Sequence, residues 1–186
     1  MARAAARSAP PRDLDAFLRW HETQPERWEF VGGAAVMMAP ASRPHTMLKG
    51  NIYAALRAAL EGSPCTVYSD GIEIREAGQS AIPDVVVSCR EPDLESSVEP
   101  EPILIIEVVS ASTAHRDRVE KWASYRRIHS LVHYMLVEQD RRLVELHTRQ
   151  SAFVFEERFI EAGDVPLGAI GVTLALGTIY RGVIDG

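Results

Sequence analysis

The run Ile103-Leu104-Ile105-Ile106-Glu107-Val108-Val109 constrains the fold of this chain more than any other segment: it is apolar and rich in β-branched residues, with one carboxylate inside it. A short run of this kind predicts a buried strand. Upstream, Asp84-Val85-Val86-Val87-Ser88 follows Pro83 and predicts another. An ionised carboxylate taken from water without a partner costs several kcal/mol or more. Two of them beside one sheet therefore point to a shared counter-charge, and a metal ion is the natural candidate.

Side chains alternate along a strand, so Ile103, Ile105, Glu107 and Val109 share one face, and Leu104, Ile106 and Val108 share the other. Glu107 then lies near the strand exit, where Asp84 meets it if the two strands pair. Two carboxylates on one Mg²⁺, completed by a backbone carbonyl and waters, make an ordinary hard-cation site. Such an ion orients a water, lowers its pKa and stabilises charge on a phosphoryl group. The competing readings are a strand-capping role for Asp84 and a buried ion pair with an arginine for Glu107.

The flanking sequence predicts the rest of the sheet and its helices. Asp13 caps a helix reaching about Gln24, with Leu14, Phe17 and Leu18 facing inward. The glycine pair Gly32-Gly33 joins Trp28–Val31 to Ala34–Ala39 as a β-hairpin. Beyond Pro40 and Pro44, a helix is expected from about His45 to Glu61, striped by Leu48, Ile52, Leu56 and Leu60 and ended by Gly62. Thr66 to Arg75 reads as one strand. Arg90 to Pro102, with three prolines and five acids, reads as an exposed loop. A helix follows from Thr113 to about Ile128, capped by Ser112 or Thr113, and then strands at Leu131–Glu138, Arg142–Thr148 and Ala152–Arg158. Strands, a crossover helix and a return strand indicate an α/β chain with a mixed sheet flanked by helices.

The crossover helix carries the expected cation. Asp117, Lys121 and Tyr125 recur every four residues and share one helix face. Lys121 is one of two lysines beside eighteen arginines, which suggests a position that needs a compact, titratable ammonium. An ion pair with Asp117 is the plainer alternative. Trp122 is assigned to the core.

At 186 residues and 46% hydrophobic, the chain suits one domain, expected over residues 13–186 after a mobile leader over residues 1–12 that is rich in Ala, Arg, Ser and Pro. No apolar stretch approaches the roughly 20 residues of a membrane span, so no membrane partner and a cytoplasmic location are expected. Cys65 and Cys89 have no metal-type spacing and read as free thiols. The net charge of −6 argues against broad attraction to nucleic acid, but the charges are segregated. Residues 91–107 hold six acids and no Lys or Arg, whereas residues 113–129 hold five Lys or Arg against two acids, which leaves room for a local basic surface.

Pro83-Asp84, then Glu107-Val108-Val109-Ser110 with Ser112-Thr113, then Asp117, Lys121 and Tyr125, then His133-Tyr134-Met135-Leu136-Val137 form an ordered set. The set resembles the Uma-two family of candidate restriction endonucleases, within the PD-(D/E)XK nuclease superfamily. Glu29-Phe30-Val31-Gly32-Gly33 and His45 are similar to the family's N-terminal pattern, so the resemblance runs from about Asp13 to Tyr180. It implies a restriction-endonuclease-like core in which Asp84 and Glu107 ligate Mg²⁺ or Mn²⁺, with the Val108 carbonyl as a further ligand, and DNA as the substrate. The superfamily's lysine two residues after the glutamate is Val109 here. The Uma-two pattern places its lysine on the next helix, matching Lys121.

Two function classes follow. In the first, a metal-dependent endonuclease hydrolyses DNA phosphodiester bonds, with Lys121 positioning the attacking water; cutting two strands with one site per chain suggests a homodimer. In the second, a catalytically inactive nuclease fold serves as a DNA-binding or assembly module. Glu29 reads equally as a surface strand acid or as an auxiliary acid near the metal. His45 reads as a structural residue at a helix N-terminus.

Overall fold

A computed structural model of the protein describes residues 9–184. Of the leader expected over residues 1–12, residues 1–8 lie outside them. Helix α1 (Leu14–His21) starts where the Asp13 carboxylate accepts from the Ala16 N–H, and it buries Phe17 against Phe30. The hairpin β1 (Trp28–Val31) and β2 (Ala34–Met37) turns on Gly32 and Gly33 at φ +62° and +76°, conformations that side chains with a Cβ rarely adopt. Helix α2 (Arg43–Ala59) begins two residues earlier than expected. Pro44 sits in its first turn, where proline has no N–H to lose, and Ser42 caps it by accepting from the His45 N–H.

The single strand expected over Thr66–Arg75 is two strands in different sheets. β3 (Thr66–Ser69) ends at Asp70 and Gly71, whose φ values of +62° and +80° turn the chain out of the sheet. It re-enters as β4 (Ile74–Glu76), which pairs with β5 (Gln79–Ala81) beside the N-terminal hairpin in the order β2-β1-β5-β4. Glycine-driven turns explain why alternation alone missed the break.

β6 (Val85–Ser88) and β7 (Leu104–Val109) are both fully buried. Their connection is the expected loop, though Glu99 is buried within it. The crossover helix α3 spans 116–125 and is shorter than expected, with a π-helical first part (Arg116–Lys121) passing into an α-helical part (Trp122–Tyr125). It leads to β8 (His133–Glu138), parallel to β7, and then to the antiparallel β9 (Val144–Ser151) and β10 (Val154–Ile160). The main sheet is thus mixed, in the order β10-β9-β8-β7-β6-β3. The C-terminal part forms β11 (Asp164–Leu167), β12 (Val172–Ala175) and the short α4 (Leu176–Ile179).

Alternation sorts the main sheet into two cores. Val85, Val87, Leu104, Ile106, Val108, Met135 and Val137 pack against Leu48, Ile52 and Leu56 of α2. Each of these three leucine or isoleucine side chains contributes on the order of 1.5–3 kcal/mol by leaving water. Val86, Ile105, Val109, Tyr134 and Leu136 face the other way, onto Tyr125 of α3 and Val31 of the hairpin. Glu107 belongs to this second face, beneath α3.

Cys65 and Cys89 are joined in a disulfide, which corrects the expectation of free thiols. The β3–β6 register pairs Thr66 with Ser88, so the next positions outward face each other; their separation of 24 residues gives no hint of it. Among the described residues, no helix is long and apolar enough to cross a membrane.

Candidate active site

The antiparallel register Val85↔Ile106 and Val86↔Ile105, continued by one step, sets Asp84 opposite Glu107. Both side chains fall on the α3 face, by the two-residue period of each strand. Asp84 is held from two directions: its Oδ2 accepts from the Val108 N–H at 2.8 Å, and its Oδ1 lies 2.8 Å from His45 Nε2. A strand residue directs its N–H and C=O to the same side, so the Val108 carbonyl also faces the Asp84 edge.

Lys121 reaches in from α3. Its Nζ stands 2.9 Å from Glu29 Oε1, 3.0 Å from Glu107 Oε1 and 3.5 Å from Asp117 Oδ1. Residues four apart on an α-helix drift by about 40° per step, which would carry Tyr125 away from Asp117. The wider π turn removes that drift and keeps Asp117, Lys121 and Tyr125 in line, and such turns recur at functional sites. The Tyr125 hydroxyl donates to Glu107 Oε1 at 3.2 Å. Glu29, on β1, also accepts from the Ile82 N–H, so it is a buried member of the cluster and not a surface acid.

Val109 is fully buried in the apolar core, and a lysine there would meet the Tyr125 side of α3. The ammonium near Glu107 comes from the helix instead.

Three carboxylates therefore surround one ammonium, with Asp84 opposite Glu107 beside them. Burial pushes the Glu107 carboxyl well above its ordinary range, opposed by the Lys121 charge and reinforced by Asp117, Asp84 and Glu29. Asp117 is raised for the same first reason, with Lys121 and a hydrogen bond from Thr113 acting against it. For Lys121, burial disfavours the charge, but Glu107, Glu29 and Asp117 together outweigh burial and lift its pKa well above normal. Tyr125 is driven well upward by burial and by the same carboxylates. The Lys121, Glu107, Glu29 and Asp117 side chains are at most 5% exposed, whereas His45 and Asp84 are 18% and 16% exposed. Solvent meets the cluster at its His45–Asp84 end.

Sequence reasoning brought Asp84, Glu107, Lys121 and Glu29 forward, and the structure gathers all four. His45 joins them although it read as structural, because contact between α2 and the start of β6 is invisible in either segment. Asp117 reads from the sequence as a helical neighbour of Lys121 and a member of the Uma-two set, and not as a site residue.

A second cluster was missed. Among the described residues, Glu145, His147 and Glu157 are three metal-type donors whose ligand atoms all lie within 4.8 Å of one another. Glu145-x-His147 on β9 and Glu157 opposite on β10 form it, and strand alternation could have flagged the first two. This group is largely self-neutralised: Glu145 accepts from Arg118 Nε at 2.8 Å and lies 2.9 Å from His147 Nε2. Its pKa stays low because these partners outweigh burial.

A family described as "Putative restriction endonuclease", Uma2, matches residues 14–176. Two uncharacterized proteins of Synechocystis sp. are similar, one 27% identical over 178 residues that cover 94% of each chain. The other is 30% identical over 128 residues, covering 66% of this chain and 72% of its own. The crystal structure of a "putative nuclease belonging to DUF820" from Anabaena variabilis superposes with a TM-score of 0.74 at 16% identity, over 94% of this chain and 100% of that one. The mixed sheet flanked by helices is thus the fold of that protein. The chain belongs to the Uma2 family of restriction-endonuclease-like proteins.

Proposed function

We propose that the protein is a metal-dependent endonuclease that hydrolyses DNA phosphodiester bonds, with Asp84, Glu107 and the Val108 carbonyl holding Mg²⁺ or Mn²⁺. One observation carries this reading: Glu29, Glu107 and Asp117 crowd around the Lys121 ammonium and Asp84 stands opposite Glu107, with Glu107 raised by burial and by these acidic neighbours. A set of hard oxygen donors with surplus negative charge fits a divalent cation. When bound, the ion lowers the pKa of a water and stabilises charge on phosphoryl oxygens.

The chain's own residues then have separate tasks. Asp84 is fixed by His45 and by the Val108 N–H, so one strand-end carboxylate is aimed without help from solvent. Tyr125 and Lys121 orient Glu107 through the same oxygen, Oε1. Lys121 remains protonated, because three carboxylates outweigh its burial; it acts as a hydrogen-bond donor to an incoming water or to developing charge, not as a base. Glu29 anchors the ammonium from the opposite sheet. One such site cuts one strand, so double-strand cleavage calls for a homodimer.

The test is conversion of supercoiled plasmid to nicked circles with Mg²⁺ or Mn²⁺ against EDTA. Wild type is expected to nick, and Asp84→Ala and Lys121→Ala to lose at least about 100-fold in rate, the scale of removing one electrostatic stabiliser. Full activity in both variants overturns the reading. Metal-dependent stabilisation with no nicking favours the non-catalytic module.

A further inference from the structure

The outer side of α3 carries chemistry that the buried cluster does not use. An open groove of about 630 Å³ lies between α3 and the β9–β10 turn, lined by Arg118, Val119, Trp122, Arg126, Arg127 and Phe153, with no carboxylate in its wall. Arg118 is neutralised by Glu138 and Glu145. Arg126 and Arg127 are exposed and make no ion pair among the described residues. The Arg126 guanidinium lies over the Trp122 ring, 5.7 Å from its centroid. The other contacts of that ring are with Tyr134, His147 and Phe155.

Phe153 is 60% exposed, at a turn tip where a large apolar side chain gains little from folding. The turn is nevertheless held firmly. Arg126 Nη2 donates to the Phe153 carbonyl at 3.0 Å, and Arg149 Nη1 donates to the Ala152 carbonyl. Arg149 also ties back to the Arg126 and Ile128 carbonyls. Two arginines that satisfy backbone oxygens leave their positive charge uncompensated, so the local field is positive on a chain whose net charge is −6.

We infer that this groove binds single-stranded DNA, with Arg126 and Arg127 on the phosphates and an unpaired base stacked on Phe153 beside the Arg126–Trp122 pair. Charge complementarity selects a polyanion, and an exposed ring on a turn whose backbone a neighbouring guanidinium holds selects unpaired bases, whose faces a duplex hides. The inference rests on the DNA reading above and adds where the strand lies: α3 presents Lys121 to the buried cluster and Arg126 and Arg127 to the groove.

The experiment is fluorescence anisotropy in EDTA with a labelled single-stranded oligodeoxynucleotide and with the same sequence as a duplex, across a salt series. Wild type is expected to prefer the single strand. Phe153→Ala should weaken single-strand binding roughly tenfold with the salt slope unchanged. Arg127→Glu should weaken it at least about tenfold and lower the slope by about 0.7 or more. Both side chains are exposed, so both variants fold. Wild-type affinity in both variants, a preference for duplex, or no DNA binding by wild type overturns the groove. Metal-dependent nicking alongside unchanged variant affinities overturns the groove alone. Groove-dependent binding with no nicking overturns the nuclease reading alone.

Discussion

Lys121 Nζ stands 3.0 Å from Glu107 Oε1, linking a helix to a strand that ends just before it, the two positions 14 apart in the chain. The contact lies beneath a π turn, and both partners are almost wholly buried. An ammonium placed this way neutralises part of an acidic cluster that the protein could not otherwise keep dry. Four expectations follow from the cluster and from the scaffold around it.

Lys121→Met should cost roughly 3–5 kcal/mol, because Glu29, Glu107 and Asp117 would lose their buried counter-charge. Urea denaturation of the metal-free protein measures it. A loss below about 1 kcal/mol would show that the carboxylates are neutralised by protonation instead.

Divalent-ion binding should release protons. Glu107 titrates well above the usual range in the metal-free protein, and a cation beside it drives that value down, so the proton leaves. Calorimetry of Mn²⁺ binding in buffers of different ionisation enthalpy reads the number released. Release should grow as pH falls toward the ordinary carboxylate range and vanish in Glu107→Gln.

His133 should make the protein acid-sensitive. Burial lowers its pKa to about 4, and Nε2 accepts from the Ala169 N–H while Nδ1 meets the Thr148 hydroxyl. The neutral ring is the folded form. Its contribution, on the order of 3 kcal/mol, is complete above the unfolded value near 6.5 and is lost as pH falls from there through about 4. Stability of His133→Gln should depend less on pH across that window, as followed by thermal melts.

Reducing the Cys65–Cys89 disulfide should lower stability by about 3.5 kcal/mol, the loop-closure value for a link of 24 residues. Melts with and without a phosphine reductant test it. Cys65→Ser should match the reduced wild type and show no further response to reductant.

Much of the scaffold was legible because local rules act alone there. Gly32-Gly33 forces a turn, Asp13 supplies a cap, and β-branched runs around Asp84 and Glu107 make strands. Thr66–Arg75 was misread because alternation continues past Asp70 and Gly71, although the backbone there turns into another sheet. Helix α3 was read in place, but its π turn was not, since no residue type demands one.

The sequence by itself determined that two carboxylates sit in apolar strands, that an unusual lysine follows on the crossover helix, and which β-branched runs form the sheet. Tertiary structure alone decided that Glu29 crosses from the hairpin to meet Lys121, that His45 grips Asp84, and that Cys65 faces Cys89. The physical reason is range. Burial cost and periodicity are written within a few residues, whereas register and packing between segments 24 to 92 positions apart depend on how the whole sheet closes.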